Sequence, residues 1–74
     1  MAKTYSGKQV ISILSRKFGF VFVSQKGSYV KLRKRVVSKI LTTIVPLHRT
    51  LALGTLKGIL ALAEIDEKEF RKIL

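Results

Sequence analysis

Phe20-Val21-Phe22-Val23-Ser24-Gln25-Lys26-Gly27-Ser28-Tyr29-Val30-Lys31-Leu32-Arg33 is the stretch that decides how this chain folds. Phe20 to Ser24 is β-branched and aromatic, the composition of a strand. Gln25-Lys26-Gly27-Ser28 reads as a hairpin loop, and Tyr29 to Arg33 returns as a second strand. Alternation in the return strand is clean: Val30 and Leu32 face one way, Tyr29, Lys31 and Arg33 the other. Phe20 and Phe22 are expected to enter the core, which leaves Val21 and Val23 on the opposite face. There they are either partly covered by long neighbouring side chains or form a patch that docks a partner or a second copy.

Downstream, Lys34 to Lys39 makes a basic connection, and Ile40 to Val45 reads as a third strand limited by Pro46, which cannot donate to a ladder. A polar turn through His48, Arg49 and Thr50 follows. Gly54-Thr55 then opens a helix with Leu56, Ile59, Leu60 and Ala63 on its core face. Gly58 weakens that helix unless close packing requires it. Asp66 is placed to cap a short final helix, with Glu69 at the capping-box position and Ile65, Phe70, Ile73 and Leu74 to tie it down. Upstream, Ser6 and Gln9 form a capping-box pattern, and Val10, Ile11, Ile13, Leu14 and Phe18 mark one helical face that ends at Gly19. The expected architecture is α+β: α-β-β-β-α, helices on one face of a three-stranded antiparallel sheet, with a short extra C-terminal helix. Double-stranded RNA-binding domains share that order.

Seventy-four residues allow one domain, spanning 1–74. The oily region from Ile40 to Ala63 is broken by Pro46, His48, Arg49 and Lys57, too often for a membrane span. Without cysteine there is neither a disulfide nor a thiolate metal site. The opening MAKTYSGKQ lacks the apolar stretch of a secretory signal, so a cytoplasmic protein is expected. Charge is the most informative number: fifteen Lys and Arg against four acids give +11. All four acids (Glu64, Asp66, Glu67 and Glu69) fall in the last eleven residues, so residues 1–63 hold twelve cations and no acid. Such a field attracts a polyanion and gives salt-dependent affinity, which points to nucleic acid, RNA above all.

Several segments, taken in order, resemble the HicA toxin family. They are Ser6-Gly7-Lys8-Gln9-Val10-Ile11, Phe18-Gly19-Phe20, Gln25-Lys26-Gly27-Ser28, Val45-Pro46-Leu47-His48 and Gly54-Thr55-Leu56-Lys57-Gly58-Ile59-Leu60. The resemblance implies a double-stranded RNA-binding-like fold and an mRNA interferase, an endonuclease that cuts messenger RNA without a metal ion or other cofactor. It also implies a HicB-like antitoxin as partner. One position departs from the family pattern: its catalytic histidine directly follows the hairpin Gly-Ser, and in this chain that residue is Tyr29. Histidine titrates near neutrality, whereas phenols ordinarily ionise at about pH 10, so a tyrosine there is a poor base and better suited to donate a proton or stack on a base.

The candidate site is therefore Tyr29 at the catalytic position, with Lys26, Ser28, Lys31, Arg33 and Arg49 as RNA contacts and His48, the sole histidine, as a second acid/base candidate. The plainer reading of Tyr29, Lys31 and Arg33 is a solvated strand face, and of His48 a loop residue with a local hydrogen bond. Gly54-Thr55 offers a helix N-terminus to phosphate, though capping is its simpler role. Three functions stay open: a toxin that cleaves messenger RNA, an RNA-binding module without chemistry, and an interaction protein that binds the antitoxin. Oligomeric state is not legible.

Overall fold

The computed structural model describes residues 3–73. Its elements are α1 (Gly7–Lys17), β1 (Val21–Lys26), β2 (Tyr29–Arg35), β3 (Ile40–Pro46), α2 (Leu53–Ala63) and α3 (Glu67–Arg71). The expected α-β-β-β-α order with its extra helix is thus what the chain forms. The strands make one antiparallel sheet in the order β1-β2-β3. Among the described residues no helix is long and apolar enough to cross a membrane.

Both halves of the α1 capping box are present: Ser6 Oγ accepts from the Gln9 amide at 3.1 Å, and Gln9 Oε1 accepts from the Ser6 amide at 2.9 Å. A cap of this kind contributes about 1 kcal/mol. Val10, Ile13 and Leu14 are buried, while Ile11 and Phe18 pack partly against the same core. The helix stops at Phe18, and Gly19 follows at φ +77°. In α2, Leu56, Ile59, Leu60 and Ala63 all reach the core, as their spacing requires. Thr43 on β3 joins helix to sheet, its buried hydroxyl donating to the Ile59 carbonyl at 2.9 Å.

Several details correct the sequence reading. The hairpin has a two-residue turn, Gly27-Ser28, and Lys26 belongs to β1, where it pairs with Tyr29. Gly27 sits at φ +59° while Ser28 stays out of the left-handed region, the pattern of a turn with glycine first. Lys34 and Arg35 extend β2, so the connection shortens to Val36–Lys39, closed by the Val36 amide on the Lys39 carbonyl at 2.9 Å. Phe22 pairs with Leu32 and so lies on the helix side, yet it is 60% exposed. The helices lie chiefly over β3, so the outer edge of β1 extends past their cover. The register also shifts between Phe22 and Ser24, a bulge at Val23 that puts Ser24 on the face opposite the helices.

The second and third helices differ from expectation at their starts. The N-cap of α2 is Ala52, which has no capping side chain, and Gly54 and Thr55 lie inside the first turn. Asp66 caps α3 through the Lys68 amide at 2.7 Å, and Glu69 pairs with Lys72 at 3.4 Å instead of closing a capping box. Phe70 is the buried anchor of α3, with Ile65 and Ile73 partly buried beside it; Leu74 lies outside the described residues. Arg71 donates to Glu67 at 2.8 Å and to the Lys3 carbonyl at 2.7 Å. The hydrogen bond to Glu67 raises its guanidinium above the usual arginine value, so it is charged at any working pH.

Gly58 is exposed, and a methyl group built on it meets nothing within 4 Å, so close packing does not require glycine there. Gly58→Ala is expected to stabilise the fold by roughly 0.5–1 kcal/mol through helix propensity and a less mobile unfolded chain. A urea midpoint that fails to rise would show that the site needs glycine for a reason outside its contacts.

Candidate functional site

The helices cover one face of the sheet and leave the other open. Register determines which side chains share the open face. Lys26, Tyr29 and Pro46 form one row, Ser24, Lys31 and Ile44 the next, and Val21, Arg33 and Thr42 a third. Arg35 and Ile40 extend the series at the far end. Ser24, Lys26, Tyr29, Lys31 and Ile44 line an open hollow of about 660 Å³. Tyr29 is 54% exposed and Ile44 44% exposed, so the hollow has an aromatic and an aliphatic wall with ammonium groups beside them.

Of the residues expected at the site, the fold brings Lys26, Tyr29 and Lys31 into this hollow and sets Arg33 in the row beyond it. Ser28 is in the turn at its end. His48 and Arg49 line a neighbouring hollow of about 320 Å³ with Ser6, Lys8 and Leu47. Backbone hydrogen bonds join the two regions: Leu47 donates to the Ser28 carbonyl at 2.7 Å, and Gly7 donates to the His48 carbonyl at 2.9 Å. Hairpin turn, β3 exit and α1 start thus meet at one end of the molecule. The chain before α2 supplies Arg49, while the uncapped α2 N-terminus contributes no side chain to either hollow.

The electrostatics are one-sided. Glu64 holds Lys39 at 2.6 Å, Glu67 holds Arg71, Glu69 holds Lys72, and Asp66 caps α3. All four carboxylates are thereby used on or next to α3. Among the described residues, Lys26, Lys31, Arg33 and Arg35 have no carboxylate partner. Their positive charge stays available to an incoming polyanion. Chemically, the ammonium and guanidinium groups can hold phosphate oxygens, the phenol can donate a proton or stack, and Ile44 offers apolar contact. Among the described residues no group of three or more His, Asp and Glu is gathered that could hold a metal ion.

Ser24 and Ile44 were not singled out from sequence, and Arg35 was read only as part of a basic connection adding nonspecific phosphate affinity, whereas it ends β2. Ile44 was readable in principle, since pairing the third strand antiparallel to the second puts alternate residues beside Lys31. Ser24 was not, because the bulge at Val23 reverses the side it would otherwise take. A family model described as "HicA toxin of bacterial toxin-antitoxin" matches residues 7–65, from the first residue of α1 to just past α2. No curated protein and no solved structure matches the chain.

Proposed function

The chain belongs to the HicA toxin family, the toxin side of bacterial toxin–antitoxin systems with an antitoxin as partner, and from that premise we propose that it binds messenger RNA in the cytoplasm through the open sheet face and cleaves it at Tyr29. The observation that carries the reading is the acid-free row of cations around an exposed aromatic, Lys26, Tyr29, Lys31 and Arg33, on a face the helices leave bare. A HicB-like antitoxin would restrain the toxin by covering that face.

Cleavage by the neighbouring 2′-hydroxyl needs its proton removed and a proton delivered to the leaving oxygen. The Tyr29 phenol serves the second task better than the first, and Lys31 and Arg33 would stabilise charge that develops on the phosphate. His48, in the adjoining hollow, is the remaining proton-transfer group. A second reading, RNA binding without chemistry, is favoured by Tyr29 itself, the position at which the family resemblance implies a histidine.

The deciding experiment compares the parent with Tyr29→Phe and Tyr29→His on a labelled messenger RNA in the presence of EDTA. Tyr29→His is expected to cut about a hundredfold faster than the parent, the scale of general acid–base catalysis. Tyr29→Phe is expected to bind normally and cut no RNA. If neither the parent nor Tyr29→His cuts while RNA still binds in a salt-sensitive way, the binding module replaces the nuclease. Should no form bind RNA, the proposal fails altogether.

A further inference from the structure

The open face has a feature beyond charge. Tyr29, Lys31, Arg33 and Arg35 occupy alternate positions on β2 and so project from one side of the sheet. Neighbours in this row stand about 6.6 Å apart, and the row runs roughly 20 Å at about 3.3 Å per residue. That spacing is comparable with the repeat of phosphates along one extended nucleic-acid strand. Flanking the cations on the same face are Val21, Ile40 and Ile44, all exposed. Cations in line thus have apolar side chains beside them on the neighbouring strands, and the aromatic stands at one end.

A duplex would use such a face poorly. Its bases are hidden in the stack, so Tyr29, Ile44 and Val21 would meet sugar and phosphate, and burying apolar groups against charged oxygens gains little. A single strand presents both parts. Its phosphates can follow Lys31, Arg33 and Arg35 while an unstacked base lies on the Tyr29 ring beside Ile44. The hollow there, about 660 Å³, falls within the roughly 300–1,000 Å³ of sites that enclose small organic groups.

We propose that the open sheet face is a single-strand platform: it takes an extended RNA segment of about three nucleotides, one base stacked on Tyr29 and successive phosphates on Lys31, Arg33 and Arg35, and it discriminates against duplex RNA. The inference rests on the RNA reading above and narrows it to one substrate class. Arg35 thereby becomes a binding residue at the end of the row.

The test measures fluorescence anisotropy of a labelled eight-nucleotide RNA, 2′-O-methylated so that it cannot be cut, alone and annealed to its complement. Salt is held fixed, and the urea midpoint of every variant is checked against the parent. The single strand is expected to bind at least tenfold tighter than the duplex. Tyr29→Ala is expected to weaken the single strand about tenfold and Tyr29→Phe less than twofold, since stacking needs the ring and not the hydroxyl. Arg35→Gln is expected to lower the slope of log affinity against log salt by about 0.7, the loss of one phosphate contact. Equal or tighter duplex binding overturns the platform and leaves the RNA reading standing. Displacement by polyglutamate as effective as by unlabelled RNA overturns it too, because the face would then read charge alone. If neither RNA binds, the platform and the proposed function fall together.

Discussion

Gly7→Ala is expected to destabilise the fold by about 2 kcal/mol, lowering the melting temperature by roughly 8–16 °C in a chain of this size. Gly7 is the first residue of α1 and is buried against the exit of β3. A Cβ built there would overlap the Pro46 carbonyl oxygen and lie 3.0 Å from Leu47 Cα and the Pro46 carbonyl carbon. All three obstacles are backbone, so no side chain can rotate away to make room. Either the helix start or the strand end must move by more than an ångström. Any such movement lengthens the 2.9 Å bond from the Gly7 amide to the His48 carbonyl and disturbs the Ser6 cap beside it.

Helix propensity works in the opposite direction, since alanine is better than glycine by about 1 kcal/mol within a helix. Overpacking against backbone costs about 1–3 kcal/mol, and a lost buried hydrogen bond adds about 1 kcal/mol, so the clash wins. Thermal and urea denaturation followed by circular dichroism measure the effect, with Gly58→Ala as the matched control on the other long helix. Opposite signs for the two glycines are expected. A Gly7→Ala protein that melts within a few degrees of the parent would show that α1 does not depend on this close approach.

These two glycines mark where sequence reading succeeds and where it stops. Helix and strand identity was legible because each rests on local chemistry: Ser6 with Gln9 for the α1 start, alternation of Val30 and Leu32 for β2, Pro46 for the end of β3. Through-space relations were not. Nothing in the run from Ser6 to Ile11 reveals that Pro46 lies against Gly7, and nothing near Gly58 reveals that its surroundings are empty. Phe22 illustrates the same limit, because its face followed from alternation but its exposure depends on how far the helices extend across the sheet.

The candidate site divides in the same way. Tyr29, Lys31 and Arg33 share a face because a strand repeats every two residues, which the sequence alone dictates. Lys26 joined them for a reason the sequence misplaced, as the strand partner of Tyr29 and not as a loop residue. The company of Ile44 and Ser24 depends on strand register and on a bulge, and no single-residue preference encodes either. The separation of His48 from the Tyr29 hollow likewise follows from where the chain turns after Pro46.

Phe70→Ala is expected to have the largest effect of any single truncation considered, about 3–5 kcal/mol. Phe70 is 0% exposed, set edge-on to Tyr5 with ring centroids 5.0 Å apart and stacked near Phe18 at 6.4 Å. A five-residue helix does not hold its own conformation in water, so α3 exists because this ring docks it. Both Tyr5 and Phe70 lie outside the stretch matched by the family model. The segments on either side of that stretch meet each other, through the two rings and through Arg71 on the Lys3 carbonyl. Losing the ring should release α3 instead of leaving a rigid cavity, so the urea m-value should fall together with the midpoint. Tyr29 and its cations lie across the sheet from this clasp, and RNA affinity measured on folded protein should stay within about twofold of the parent. A drop in m with affinity kept would separate what holds the domain together from what it binds. An unchanged midpoint would mean that the aromatic clasp contributes little, and that the core under α1 and α2 carries the stability without it.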